Sequence, residues 1–242
     1  FQKIQASGIS PKPATISWEL NIALIEFLDI KGDPDYTKRD FENLLFGDDY
    51  TKRSPDHEAV FGSVKAYFET ISHNNFSIHG KVLNKEVDGH PQWIRVGYTK
   101  KQCMDMGLGG ADTVFVNAAK NAFPDSITPS KKICYIYAGN KRINKPEDHP
   151  ELTGGLHPHA SSPDYYVVSE KTDSDWSTNN MLQETDKATF CHIGLHCHEI
   201  GHLLGISHSD ESAGRWCAMR GGDVNGPRIG SCPAPFNPIS RK

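Results

Sequence analysis

Apolar and polar positions divide the chain into short strands and amphipathic helices. Asn21 to Ile30 (NIALIEFLDI) is an apolar run closed by the turn signal Gly32-Asp33-Pro34, and it predicts a buried strand. Residues 1–18, broken by Pro11 and Pro13, read as an extended lead-in. Residues 31–60 are charged and irregular, with a short helix expected near Arg39–Phe46. Val64, Tyr67, Phe68 and Ile71 then recur at helical spacing, with Ser63 placed to cap the helix they predict. Phe76 to Leu83 alternates and reads as a strand, and Trp93 to Tyr98 as another. Ala111 to Phe123 predicts a helix, and Lys132 to Ala138 a strand. Residues 139–163, rich in Gly, Pro and His, read as a long loop. Tyr165 to Ser169 has polar residues on both sides and reads as the edge strand, with an ordinary buried strand an equal alternative. A polar linker over 171–186 leads to a helix over Ala188–Leu204. Beyond Gly205 the periodicity fades, through Pro233, Pro235 and Pro238.

This order predicts an α/β (α+β) protein. An N-terminal lobe (1–205) would carry a twisted mixed sheet and the last helix. A small irregular C-terminal lobe (206–242) would face it across a cleft. Strand–helix alternation alone would equally suit a doubly wound fold. A length of 242 residues fits one large domain or two small lobes. Hydrophobic residues at 37% and charged residues at 23% describe an ordinary globular chain. The net charge of −4, without a basic stripe, makes nucleic acid an unexpected partner. No apolar run approaches the roughly 18 residues of a membrane span. Phe1 in place of an initiator Met reads as a processed chain.

The chemistry concentrates in His196-Cys197-His198-Glu199-Ile200-Gly201-His202-Leu203-Leu204-Gly205-Ile206-Ser207-His208. On a helix, His198 and His202 leave the same face one turn apart, as two metal ligands do. Glu199 lies about 100° round the helix from His198, beside such a metal rather than on it. That is the place for a general base. Gly205 allows a sharp helix end, so His208 can return as a third ligand and leave a fourth position open to water. His192 and His196 are also four apart, but about 200–240° away from His198. They cannot share its metal and read as surface or structural residues.

The stretch His198-Glu199-x-x-His202-x-x-Gly205-x-x-His208 resembles the long zinc signature of the metzincin metalloproteases. Met219, in Cys217-Ala218-Met219-Arg220-Gly221-Gly222, matches the methionine turn that lies beneath the zinc in that group. Gly62-Ser63-Val64-x-x-Tyr67-Phe68-x-x-x-Ser72 and its flanking strands resemble the immune inhibitor A-like metalloproteases. Gametolysin-like enzymes are similar, including the Cys-x-Met turn. Many immune inhibitor A-like members have Pro-Asp where this chain has Ser207-His208, and Ser209 is reminiscent of the matrixins.

The resemblance implies a metzincin-like fold with a five-stranded mixed sheet. It also implies a secreted, monomeric zinc endopeptidase made as a zymogen and acting on protein or peptide substrates. One Zn2+ on His198, His202 and His208 would activate water, Glu199 would move the proton, and Met219 would be a structural floor. An extended peptide would add to the edge strand. Two rivals are a catalytically silent binding module, which the intact Glu199 disfavours, and a zinc hydrolase acting on something other than peptides.

Cys103, Cys134, Cys191, Cys197, Cys217 and Cys232 form no Cys-x-x-Cys pair. Their even number suggests disulfides in a secreted protein, with bridges pinning the last helix to the C-terminal part, against the alternative of six reduced, buried cysteines in a cytosolic protein. Asn75-Phe76-Ser77 is a glycosylation sequon of little weight. Asp33/Asp35 and Asp173/Asp175 are candidate Ca2+ ligands, though acidic turns are the plainer reading. His157 and His159 are candidates for a second metal, against the plainer reading of a solvated loop beside the cleft.

Overall fold

The computed structural model describes residues 16–128, 131–140, 156–161, 163–172, 188–208, 211–226 and 230–236. The chain opens with β1 (Ile16–Glu26), α1 (Lys38–Phe46), α2 (Val64–Ile71) and β2 (Phe76–His79). Short strands follow: β3 (Glu86–Val87), β4 (His90–Pro91) and β5 (Ile94–Arg95). Next come α3 (Lys100–Asp105), α4 (Gly107–Ala122), β6 (Lys132–Tyr137), β7 (His159–Ser161) and β8 (Tyr165–Ser169). The strands β9 (Lys171–Thr172) and β10 (Thr189–Phe190) precede α5 (Ile193–Leu203). A 3-10 segment, Glu211–Trp216, lies in the C-terminal part.

The architecture is mixed α/β around a mixed sheet ordered β2-β1-β6-β8-β7, with β5 pairing the far end of β1 as a sixth strand. The strands β2, β1, β6 and β8 run parallel, and β7 is antiparallel to β8. Parallel strands need cover on both faces, and β1 supplies both. Leu20, Ile22 and Leu24 join Ile136 and Val168 in one core, under α1, α2 and α5. Ala23 and Ile25 join Tyr135 and Val167 in a second, where Ala111, Phe115 and Ala119 of α4 lie along one helix face. Phe115 packs against Phe27 and Tyr137.

Local signals explain the helix starts. Thr37 caps α1 in a reciprocal box with Asp40. The Ser63 hydroxyl accepts from the Ala66 amide at 3.1 Å and starts α2, as expected.

Several expectations need correcting. The first strand begins at Ile16 rather than Asn21 and stops at Glu26, because Ile16–Glu19 pair with β2 before the buried run begins. The Phe76–Leu83 strand is shorter, continuing only as a single bridge from Val82 to Ile22. The strand expected over Trp93–Tyr98 reduces to Ile94–Arg95. The helix expected from Ala188 starts at Ile193, since Thr189 and Phe190 pair with β9.

The most consequential difference concerns the sheet edge. Tyr165–Ser169 is an inner strand, paired with β6 on one side and β7 on the other. The edge is β7, inside the stretch read as loop. Three residues, His159-Ala160-Ser161, are too few to show a period.

None of the six cysteines forms a disulfide in the structure, so the expected bridges are not formed there. Cys134, Cys197 and Cys217 are small apolar members of one core and Cys103 belongs to the other, while Cys232 is exposed. The Asp33 carboxylate accepts from the Asp35 amide and pairs with Lys171, an acidic turn rather than a ligand cage. Asp173, Asp175 and Ser209 lie outside the described residues. Among the described residues no helix is long and apolar enough to cross a membrane.

One buried amide finishes the central strand. Asn84, fully buried, accepts from the Leu24 amide at 2.8 Å and donates to the Leu24 carbonyl at 3.0 Å and the Gln92 carbonyl at 2.9 Å. Its side chain stands in for a neighbouring strand. Asn84→Ala would leave the buried amide and carbonyl of Leu24 unpaired. The expected loss is about 3 kcal/mol of unfolding free energy, read by urea denaturation.

Candidate metal centre

The helix α5 carries the site. Ile193, Cys197, Ile200 and Leu203 bury one side of it in the core beneath β6 and β8. His192, the N-cap residue, bonds Glu58 at 2.8 Å through Nε2. The Nδ1 of His196 meets the Tyr166 hydroxyl at 2.9 Å. Both histidines are buried and structural, turned away from the cleft as the helical angle requires.

The opposite side presents His198 and His202. The helix then ends in a Schellman turn: the Gly205 amide donates to the His202 carbonyl, and the Ile206 amide to the Gly201 carbonyl. Gly205 sits at φ +82°, which glycine adopts without strain. The reversal brings His208 back across the helix.

The Nε2 of His208 lies 3.2 Å from the Nε2 of both His198 and His202. Four tetrahedral ligands about 2.05 Å from a zinc-type ion would sit about 3.3 Å from one another. The main chain also sets the tautomers. His198 donates its Nδ1–H to the Ala218 carbonyl at 2.7 Å, and His202 donates its own to the Ile206 carbonyl at 2.9 Å. Both Nε2 atoms are therefore lone-pair donors, the form that binds a metal. A cation between the three rings would satisfy both lone pairs. Burial pushes the His198 ring down to about 4, with the Ala218 hydrogen bond opposing and the neighbouring histidines adding to the shift. Burial lowers His202 too. Both rings are thus held neutral. These three residues could hold a metal ion.

Met219 lies fully buried under the helix at Gly201. A Cβ on Gly201 would stand 2.4 Å from its sulfur, so the missing side chain admits the methionine. The tight turn that presents it is closed by the Arg220 and Gly222 amides on the Cys217 carbonyl. This is the turn whose Ala218 carbonyl holds His198.

Glu199 is only 4% exposed, yet it lines the same open cleft of about 440 Å3 as the three histidines. Its carboxyl is pushed up to about 8, mainly by burial, with the charge of His159 opposing and that of Asp223 adding. Its Oε2 has no hydrogen-bond partner among the described residues.

Two contacts were not expected here. Asp223 places Oδ2 3.9 Å from the His198 Nδ1. His159 lines the cleft from the edge strand and pairs with Asp112 of α4 at 2.9 Å. It is neither a solvated loop residue nor, among the described residues, part of a second metal cluster. Sequence spacing carries no trace of either contact, because the partners lie far apart along the chain.

No protein-family model matches the chain, and no curated protein matches it in sequence.

A divalent ion at a hundred times its Kd should raise the unfolding free energy by about 2.7 kcal/mol. His208→Ala should abolish that gain at the same ion concentration, read by thermal denaturation with and without chelator. Gly201→Ala should displace Met219 and cost about 1–3 kcal/mol, with weaker metal binding in a titration.

Proposed function

We propose that the chain is a zinc-dependent endopeptidase of the metzincin type. The observation that carries the reading is the convergence of three histidine Nε2 atoms, His208 lying 3.2 Å from each of the other two, beside the buried carboxyl of Glu199 in one cleft. A closed structural site would hold four protein ligands. Here three histidines converge on an open cleft, with room for water and substrate.

His198, His202 and His208 would hold the ion, which when bound supplies a Lewis acid that acidifies water and polarises a carbonyl. Glu199 removes the proton as the water attacks the scissile carbonyl, then delivers it to the leaving amine. A carboxyl raised towards neutrality suits both halves of that transfer. Met219 supports the helix from below and takes no part in the proton transfer. The outer edge of β7, unpaired among the described residues, lies beside the cleft and suits an extended peptide, which would pair with it through backbone hydrogen bonds. On this reading the enzyme is exported and made as a zymogen, with zinc as its single catalytic ion.

A silent binding module would have no use for a carboxyl held beside the three imidazoles. Cleavage of a mixed peptide library by the zinc-loaded protein is the direct test, with Glu199→Ala alongside. The variant should bind zinc normally and lose about 10²–10⁴-fold in kcat. A folded, zinc-loaded protein that cleaves nothing would sink the reading.

A further inference from the structure

The cluster of His159, Asp112 and Tyr165 lies at the rim of the cleft. His159 belongs to β7, whose outer side is unpaired among the described residues. In that strand Ala160 packs towards the core under α5, while His159 stands opposite Val167 of the other core. The imidazole therefore reaches over the sheet to α4. Its Nε2 lies 2.9 and 3.0 Å from the two oxygens of Asp112, and its Nδ1 lies 2.8 Å from the His157 carbonyl. The Tyr165 hydroxyl donates to the same carboxylate at 2.8 Å.

A carbonyl can only accept, and an ionised carboxylate can only accept. Both ring nitrogens must therefore donate, and only the imidazolium has two N–H groups. The neutral ring can keep one of the two bonds and must turn a lone pair towards the other acceptor.

We propose that His159 is a positioning residue for the cleft: as an imidazolium it clamps the edge strand β7 to α4 and to its own preceding turn, and loss of one proton loosens the strand on which substrate would lie. The clamp itself follows from the contacts alone. Its effect on substrate rests on the peptidase reading given above.

The electrostatics agree. Burial opposes the charge on His159, but the Asp112 hydrogen bond, the His157 carbonyl and the charges of Asp112 and Glu199 outweigh it and raise the ring above its ordinary range. The groups acting on the ring are Asp112 from α4, the His157 carbonyl of the preceding turn and Glu199 from α5, with Tyr165 of β8 bonded to the same Asp112 carboxylate. Because the folded value is raised, the stabilisation is complete below the ordinary histidine value of ~6.5 and is lost as pH rises through the folded midpoint.

The test uses the full zinc-loaded chain and two readouts. NMR follows the His159 ring protons together with amide exchange at Ala160 and Ser161, corrected for intrinsic rates, between pH 5 and 9. The ring should titrate above ~6.5. Protection of the two amides should fall several-fold through the same midpoint, while β6 amides stay constant. Asp112→Asn should lower the midpoint and move the loss of protection with it, and Tyr165→Phe should leave the pair in place. Exchange at β7 indifferent to the charge of His159 would overturn the clamp. Peptide cleavage is the second readout. KM for an extended peptide should rise several-fold through the His159 midpoint, in step with the amides and shifted by Asp112→Asn, whatever kcat does. A KM that ignores the midpoint while the amides respond would overturn the role in substrate positioning. Amides that respond in a protein that cleaves nothing would leave the clamp standing and defeat the peptidase reading instead.

Discussion

The constraint on which the structure depends is the burial of both faces of a mainly parallel sheet. From Leu20 onward in β1, and along β6 and β8, both faces are turned into the protein, so helices must cover each side. Helix α5 takes the part of one face nearest β7 and β8. Its apolar side is committed to the core there, and its other side comes to the sheet edge. His198 and His202 reach the cleft because Ile193, Cys197, Ile200 and Leu203 have already fixed how the helix is turned.

Much of this was legible in the sequence, and what was legible is local. Ser63 before an apolar helix face, and Gly205 after the last turn of α5, act within a few residues and appear where the pattern put them. The three histidines and Glu199 were legible for the same reason, since a helix followed by one turn fixes their geometry. Pairing between distant segments was not. The edge was assigned to Tyr165–Ser169, which looked polar-flanked, because nothing in three residues of β7 announces a strand. The pairing of His159 with Asp112 spans two elements far apart in the chain, as does the approach of Asp223 to His198. The cysteines show a different limit. Their number suggested bridges, whereas in the structure most serve as compact apolar groups.

Burial acts with opposite sign on the two kinds of group at the site. It discourages charge on His198 and His202, which frees their nitrogens for a cation. It equally discourages charge on Glu199, which makes that carboxyl a better proton acceptor. The same burial thus leaves the imidazoles free to take a cation and the carboxyl ready to take a proton. The imidazolium of His159 works against the second effect, so the rim and Glu199 are electrically linked.

The partners that orient His198 and His202 are main-chain carbonyls, at Ala218 and Ile206. No side-chain substitution can delete them. Anyone grafting this centre onto another scaffold would gain little from copying three histidines and a glutamate. The transplant would have to include the reversal at Gly205 and the loop through Met219, because those two bends of the backbone decide which nitrogen each ring offers.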